Sequence, residues 1–295
     1  MRKPDNSERK PDVDPFVLAL EQTLESMPYN SATEYHTSFG EESPDSRLGA
    51  ACVYQTLDAA RRAEEMGAPH PVFLRDERHV AAVFDAEGDI IVLDPYLLHR
   101  DPIRFPRDEI RKGLSTVEVA AAPVRADSDG VPHEAKVLAR YKTTRYGYVI
   151  RLSYSKYSPA KHLYSLSRHF SLRSDSIFNP AYFTDDMYGM LTHPEQTSVS
   201  VRAVLPGLTT TAEAIIPLHG FAERAFASSD IWLRTNDGLI FPNGHALSDQ
   251  VWGELEVSLG INRDLIGQHL VEAAHIYKRV ADSGRPVAPY SLVSE

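Results

Sequence analysis

The chain holds a single cysteine in 295 residues, which excludes an internal disulfide framework. No apolar run approaches the roughly twenty residues that a bilayer-spanning helix requires, and no apolar leader follows Met1. A soluble protein of cytoplasmic location is the expectation. Cationic surplus is also missing: 31 Lys and Arg stand against 41 Asp and Glu, a net charge of −10. Broad binding to nucleic acid or to an anionic membrane depends on a cationic surface, so neither partner is expected, although a local basic site is compatible with this balance. The histidine pairs His162/His169 and His269/His275 lack the i, i+4 spacing that sets two ligands on one helix face. Neither Cys-x-x-Cys nor His-Glu-x-x-His occurs, and no metal site is expected. Glycine-rich phosphate loops are absent as well, which weighs against a nucleotide-dependent enzyme.

What is present is a nucleophile with a base and an orienter downstream. The stretch from Gly49 to Gly67 is rich in alanine and other helix formers, contains no proline and ends on a glycine, which predicts a helix with Cys52 in its first turn. Unpaired amides and the positive end of the helix dipole favour a thiolate there, and the same amides can hold an oxyanion. Residues 80–93 read as two strands around a turn at Ala86-Glu-Gly88. In a hairpin centred on that turn, His79 pairs with Asp94 across the ladder, close enough for imidazole and carboxylate to hydrogen-bond. A carboxylate so placed fixes the ring tautomer and stabilises its charged form, as a general base for a thiol requires. Taken singly, each residue has a structural alternative: a small buried thiol, a satisfied polar residue at a strand end, an aspartate opening a turn before proline. The conjunction and the chain order Cys, His, Asp point to catalysis.

In that order and context, Cys52, His79 and Asp94 resemble the triad of the arylamine N-acetyltransferases and, more widely, the transglutaminase-like cysteine enzymes. The acetyltransferase motif is usually Arg-Gly-Gly-aromatic-Cys with a Glu two residues on; here Arg47-Leu-Gly-Ala-Ala-Cys52 is followed by Tyr54, so only Gly49 and Cys52 fall in register. Pro95-Tyr-Leu-Leu98 stands where that family commonly has Val-Gly-Phe-Gly, and Leu93-Asp-Pro95 is closer to the transglutaminase-like pattern. Amide synthases that release polyketide chains, which share the acetyltransferase fold, fit the same departures. The resemblance implies an acyltransferase (an N-acyltransferase or amide synthase) that moves an acyl group from a thioester to a small-molecule amine through an acyl-Cys52 intermediate. It implies no tightly bound cofactor, with acyl-CoA or an acyl-carrier protein thioester as co-substrate. A transglutaminase-like or papain-like amide or isopeptide hydrolase with the same three residues is the alternative, and a non-catalytic scaffold on the same fold is a third.

The expected fold class is α+β: a papain/transglutaminase-like core with a helical N-terminal region, an antiparallel β-barrel-like middle region and C-terminal helices. Residues 1–14 alternate charged and polar residues without hydrophobic period and read as a mobile tail. Region 15–113 holds an amphipathic helix from Pro15 to Met27, a polar loop over 28–48, the catalytic helix and hairpin, and a proline-rich and charged connection over 99–113. Region 114–248 holds short β-rich runs separated by turns, which suit an antiparallel barrel or sandwich, with a hairpin around Asn236-Asp-Gly238. Region 249–295 holds two helices, broken at Gly260-Ile-Asn262. Arg47 and Tyr54 are candidates for the border of the active site. For an anionic carrier, the candidates are the Tyr/Lys/Arg-rich stretch from Tyr141 to His169 and the group Arg100, Arg104 and Arg107, each of which also reads as a solvated face.

Overall fold

The computed structural model describes residues 14–40, 43–193 and 195–293; the expected tail lies outside them except for Asp14. Asp14 starts the first helix, α1 (Pro15–Ser26), by accepting the amide of Phe16 at 2.9 Å, with Pro15 in the first turn. Residues 28–48 are not a loop. They form a short strand, β1 (Tyr29–Asn30), a helix, α2 (Thr33–Phe39), and a 3-10 turn at Ser46–Leu48. Distant partners hold this polar stretch in place: the Asn30 side-chain Nδ2 donates to the Leu48 carbonyl at 2.9 Å and the Tyr35 hydroxyl to the Leu191 carbonyl at 2.6 Å. The next helix, α3 (Cys52–Glu65), lays Ala59, Ala60 and Ala63 against Phe16, Ala19 and Leu20 of α1. Alanine at those positions lets the two helices approach closely and cover one face of a sheet.

That sheet is antiparallel, with β2 (Val72–Asp76), β3 (His79–Ala86), β4 (Asp89–Leu93) and β5 (Ile103–Phe105) in spatial order. Its central hairpin differs in register from the sequence expectation. Glu87 and Gly88, with φ of 56° and 94°, make a tight two-residue turn between the paired Ala86 and Asp89, so the ladder runs to Ala82 opposite Leu93. His79 instead pairs with Asp76 on β2. The connection expected over 99–113 contains β5 and the helix α4 (Arg107–Lys112).

Four long strands follow, β6 (Leu114–Ala126), β7 (Pro132–Thr144), β8 (Gly147–Ser158) and β9 (Leu163–Arg173), in an antiparallel sheet of that order. After α5 (Phe183–Leu191), the strands β10 (Ser198–Val204), β11 (Thr211–Pro217), β12 (Trp232–Arg234) and β13 (Ile240–Pro242) form a third sheet, with β1 added beside β10. The helices α6 (Ser248–Leu259) and α7 (Arg263–Val280) meet at Gly260, whose φ of 64° ends α6. Among the described residues the chain is therefore mixed α+β, with seven α-helices and three antiparallel sheets, none closed into a barrel. The barrel-like middle region is corrected on this point. Beyond its paired neighbours, β9 gives way to residues that meet the first sheet, where the Arg75 amide donates to the Ser176 carbonyl at 2.9 Å and the Phe178 amide to the Phe73 carbonyl at 2.9 Å. On the other side, the Ala122 amide donates to the Leu98 carbonyl at 3.0 Å. With β2 beside the residues after β9 and the connection between β4 and β5 beside β6, both margins of the β6–β9 sheet are occupied, and the two sheets share one core that includes Leu74, Val92, Phe105, Val137, Ile150 and Leu172. The third sheet packs its apolar face on α6 and α7. Among the described residues no helix is long and apolar enough to cross a membrane.

Candidate active site

The approach to Cys52 is fixed by backbone bonds. The Ala50 amide donates to the Pro28 carbonyl at 3.1 Å and the Asn30 amide to the Ala50 carbonyl at 2.8 Å, so the chain enters α3 as a short extended piece beside β1. Gly49 makes this possible. Its φ is 80°, and a Cβ there would lie 1.9 Å from the Pro28 carbonyl oxygen. Gly49→Ala is expected to lower the stability by at least about 2 kcal/mol and to displace Cys52, read as a lower urea midpoint and slower alkylation of the thiol.

Cys52 is the first helical residue of α3, as its sequence context predicts, and it is half-buried. Ala51 at the N-cap offers no side-chain acceptor, so the first amides of the helix are left without a side-chain cap, and Ala51, Cys52 and Val53 line a cavity of about 580 Å³. His79 opens β3 and lines the same cavity beside the Cys52 thiol, close enough for the two to interact. From the other side, Asp94 Oδ2 lies 2.7 Å from His79 Nε2. The three residues therefore converge, although not through the direct cross-strand pair expected for His79 and Asp94. Asp94 follows the end of β4 and stands two places from the residue that the ladder would set opposite His79. A shift of two preserves the face of the sheet, and the diagonal is short enough for two polar side chains to meet.

Asp94 is fully buried and His79 is 4% exposed. Burial alone would disfavour a charged ring, but the Asp94 carboxylate and the neighbouring thiol reverse this and raise His79 to about 10. The charged form of the ring is thereby favoured, with the carboxylate on one side and the thiol beside it. Asp94 is itself held by His99, whose Nε2 accepts the Asp94 amide at 2.9 Å while its Nδ1 donates to the Asp101 carbonyl at 2.7 Å. Burial pushes His99 down, which keeps it neutral and able to accept.

Several site residues carried no signal in the sequence. The ring of Phe170, on β9, stacks on His79 at 3.6 Å and 12°, and Tyr96 leans on it at 5.6 Å. Phe170→Ala is expected to release the imidazole from its plane and slow acylation of Cys52 by about a hundredfold, measured as the rate of the pre-steady-state burst. Tyr29 lies against Tyr96 at 5.0 Å; burial, Tyr96 and Cys52 all push its hydroxyl upward, so it stays a neutral donor at the cavity wall. Glu34, on α2, accepts the Ala51 amide at 2.9 Å from within the same wall.

Arg47 and Tyr54 do not border the cavity. Arg47 pairs with Asp45 at the surface and donates to the Gly260 carbonyl, whereas Tyr54 packs into the core shared by the third sheet and its helices. Arg100 pairs with Glu134, Arg104 with Asp14, and Arg107 runs beside Gly88; none of the three reaches the site. The stretch from Tyr141 to His169 does: it supplies Tyr154, Lys156, Lys161 and Arg168 to a second cavity of about 320 Å³. This cavity adjoins the first through Tyr29, Tyr96 and Arg168, which line both. Arg202 and Arg234 come to it from the third sheet, and Glu213, bonded to Arg234 at 3.0 Å, is its one carboxylate among the described residues. The Arg202 guanidinium sits 5.0 Å from the Tyr96 ring and 5.1 Å from the Tyr29 ring, with its Nε buried and without a partner. The thiol chamber thus opens into a basic arm. Among the described residues, no group of three or more His, Cys, Asp and Glu side chains is arranged to hold a metal ion. No family model, no curated protein and no solved structure matches the chain.

Proposed function

We propose that the protein is a cysteine-dependent acyltransferase that moves an acyl group from a thioester donor to an amine through acyl-Cys52. One observation carries the reading: a buried carboxylate and a thiol engage the same imidazole, at the start of a helix, on the wall of a cavity large enough for a small-molecule acyl group. His79, held by Asp94, takes the proton of the Cys52 thiol, and the thiolate so formed is the nucleophile. Sulfur attacks the thioester carbonyl, the new carbon–sulfur bond forms, the donor's own carbon–sulfur bond breaks, and the departing thiolate takes the proton from His79. In the second half, the amine nitrogen attacks acyl-Cys52, the bond to Cys52 breaks, and neutral His79 accepts the proton from nitrogen, which restores the ion pair. The helix-start amides of Cys52 and Val53 are the natural donors for the oxyanion in both halves.

The basic arm supports a donor with an anionic handle, such as the phosphates of acyl-CoA or the phosphopantetheine of an acyl-carrier protein. Six cationic side chains face one carboxylate there. The arrangement of α3 against the β2–β5 sheet, with the nucleophile on the helix, the base on β3 and the orienter after β4, supports a papain/transglutaminase-like core. The test is intact mass after mixing with an acyl thioester: the expected result is one added acyl group, mapped to Cys52. Cleavage of peptide amides with no acylation by thioesters would assign the triad to a hydrolase instead.

A further inference from the structure

The thiol chamber, unlike the basic arm, is lined by several carboxylates. Its wall carries Glu34, Asp76, Glu77 and Glu195 against Arg78 and Arg168. Asp76 is used structurally, accepting the Ser171 amide at 2.7 Å. Glu34 is different, because it is 3% exposed and yet only half satisfied. Its Oε1 accepts the Ala51 amide, one residue before the nucleophile, whereas its Oε2 is buried and has no hydrogen-bond partner. Among the described residues no Lys or Arg is paired with it; the side chains that feel its charge are Tyr54 on α3 and Tyr35 on its own helix. A carboxyl group buried without a cation or a second donor is costly to keep, and proteins retain such groups where a ligand completes them. A hydrogen-bonding cation admitted next to the thiol would complete this one.

We propose that Glu34 is the recognition point for the acceptor, that the acceptor is a primary alkylamine entering as its ammonium ion, and that Glu34 takes its surplus proton. The inference rests on the acyltransferase reading above and adds the class of the second substrate. An alkylammonium ion cannot attack acyl-Cys52 until one N–H bond breaks. The proton passes to the Glu34 carboxylate, which becomes the neutral acid, and the nitrogen lone pair is freed. That lone pair then forms the bond to the acyl carbon as the bond to Cys52 breaks, and the second proton goes to His79. Burial raises Glu34 to about 7, so the carboxyl can alternate between both forms near neutrality.

The test compares two acceptors of similar size, n-butylamine, charged at pH 7, and aniline, which is not. In Glu34→Gln, which keeps the shape and an acceptor for the Ala51 amide, the ratio of kcat/KM for butylamine to that for aniline is expected to fall about thirtyfold or more, mainly through KM for butylamine. A purely structural role for Glu34 would move both acceptors together, so a ratio within twofold of the wild type overturns the proposal. Glu34→Asp, with the charge kept on a shorter arm, is the second variant and should hold a ratio between the other two. If thioesters leave Cys52 unmodified, the acyltransferase reading fails, and the subsite is then decided by binding alone. Butylammonium chloride should slow the alkylation of Cys52 by iodoacetamide in the wild type and not in Glu34→Gln; equal protection in both proteins rejects it.

Discussion

Replacing Cys52 by alanine is expected to abolish acyl transfer, with a loss of roughly a millionfold in kcat and no acyl group on the protein after exposure to a thioester. The size of the effect follows from the mechanism. Without sulfur there is no covalent intermediate, and what remains is the smaller contribution of the helix-start amides and of binding. The fold should survive the change. Cys52 is half-buried at a helix terminus, alanine is the best helix former, and the entry segment is held by backbone bonds of Ala50, Asn30 and Pro28 that do not involve the thiol. Circular dichroism and thermal unfolding should therefore match the wild type while the acyl label disappears. Retention of full turnover, or an acyl group appearing on another residue, would remove the mechanism altogether.

Asp94→Asn should have the next largest effect, a fall of about a thousandfold or more in the acylation rate. The carboxamide has two ways to sit, and both fail. If its NH2 faces His79 Nε2, it donates, and the ring must carry its proton on Nδ1, pointing at sulfur, where it can no longer act as a base. If its oxygen faces the ring, the NH2 occupies the position of Asp94 Oδ1, which is buried and has no partner, at a cost of about 1–3 kcal/mol. Either way the charge that holds His79 as imidazolium is gone. The stability should show the same loss through its pH dependence. His79 is raised in the folded protein, so its contribution is complete below the ordinary histidine value near 6.5, declines as pH rises, and vanishes above about 10. In Asp94→Asn that decline between pH 6.5 and 10 should flatten, as followed by unfolding temperature across the range. A variant with wild-type alkylation kinetics and an unchanged pH profile would show that the carboxylate does not govern the ring.

Local chemistry points to Cys52, His79 and Asp94 from the residues alone. An alanine-rich, proline-free run with a terminal glycine specifies where α3 begins, and the period of two along a hairpin specifies which side chains share a face. Those two facts bring Cys52, His79 and Asp94 into consideration and hold although the turn is tighter than the residues suggest, since the two-residue turn at Glu87-Gly88 changes the partner by two residues and leaves the face unchanged. The helices α1, α6 and α7 and the hairpin at Asn236-Asp-Gly238 were legible for the same reason: caps, breakers and periodicity act within a few residues.

The surroundings of the triad were not legible, because they come from chain segments that meet only when three sheets and their helices pack. Phe170 reaches His79 from a strand that begins seventy residues after Leu93 ends β4, Arg202 and Arg234 reach the basic arm from the third sheet, and Glu34 lies in a stretch whose composition reads as an exposed loop. Long-range packing and burial decide such neighbours, and residue spacing along one segment carries no information about them. The chain itself determined which atoms can do chemistry and on which elements they ride. Only the tertiary structure decided that a ring is clamped over the imidazole, that cations gather in a cavity adjoining the thiol chamber, and that a half-satisfied carboxyl lines the chamber itself.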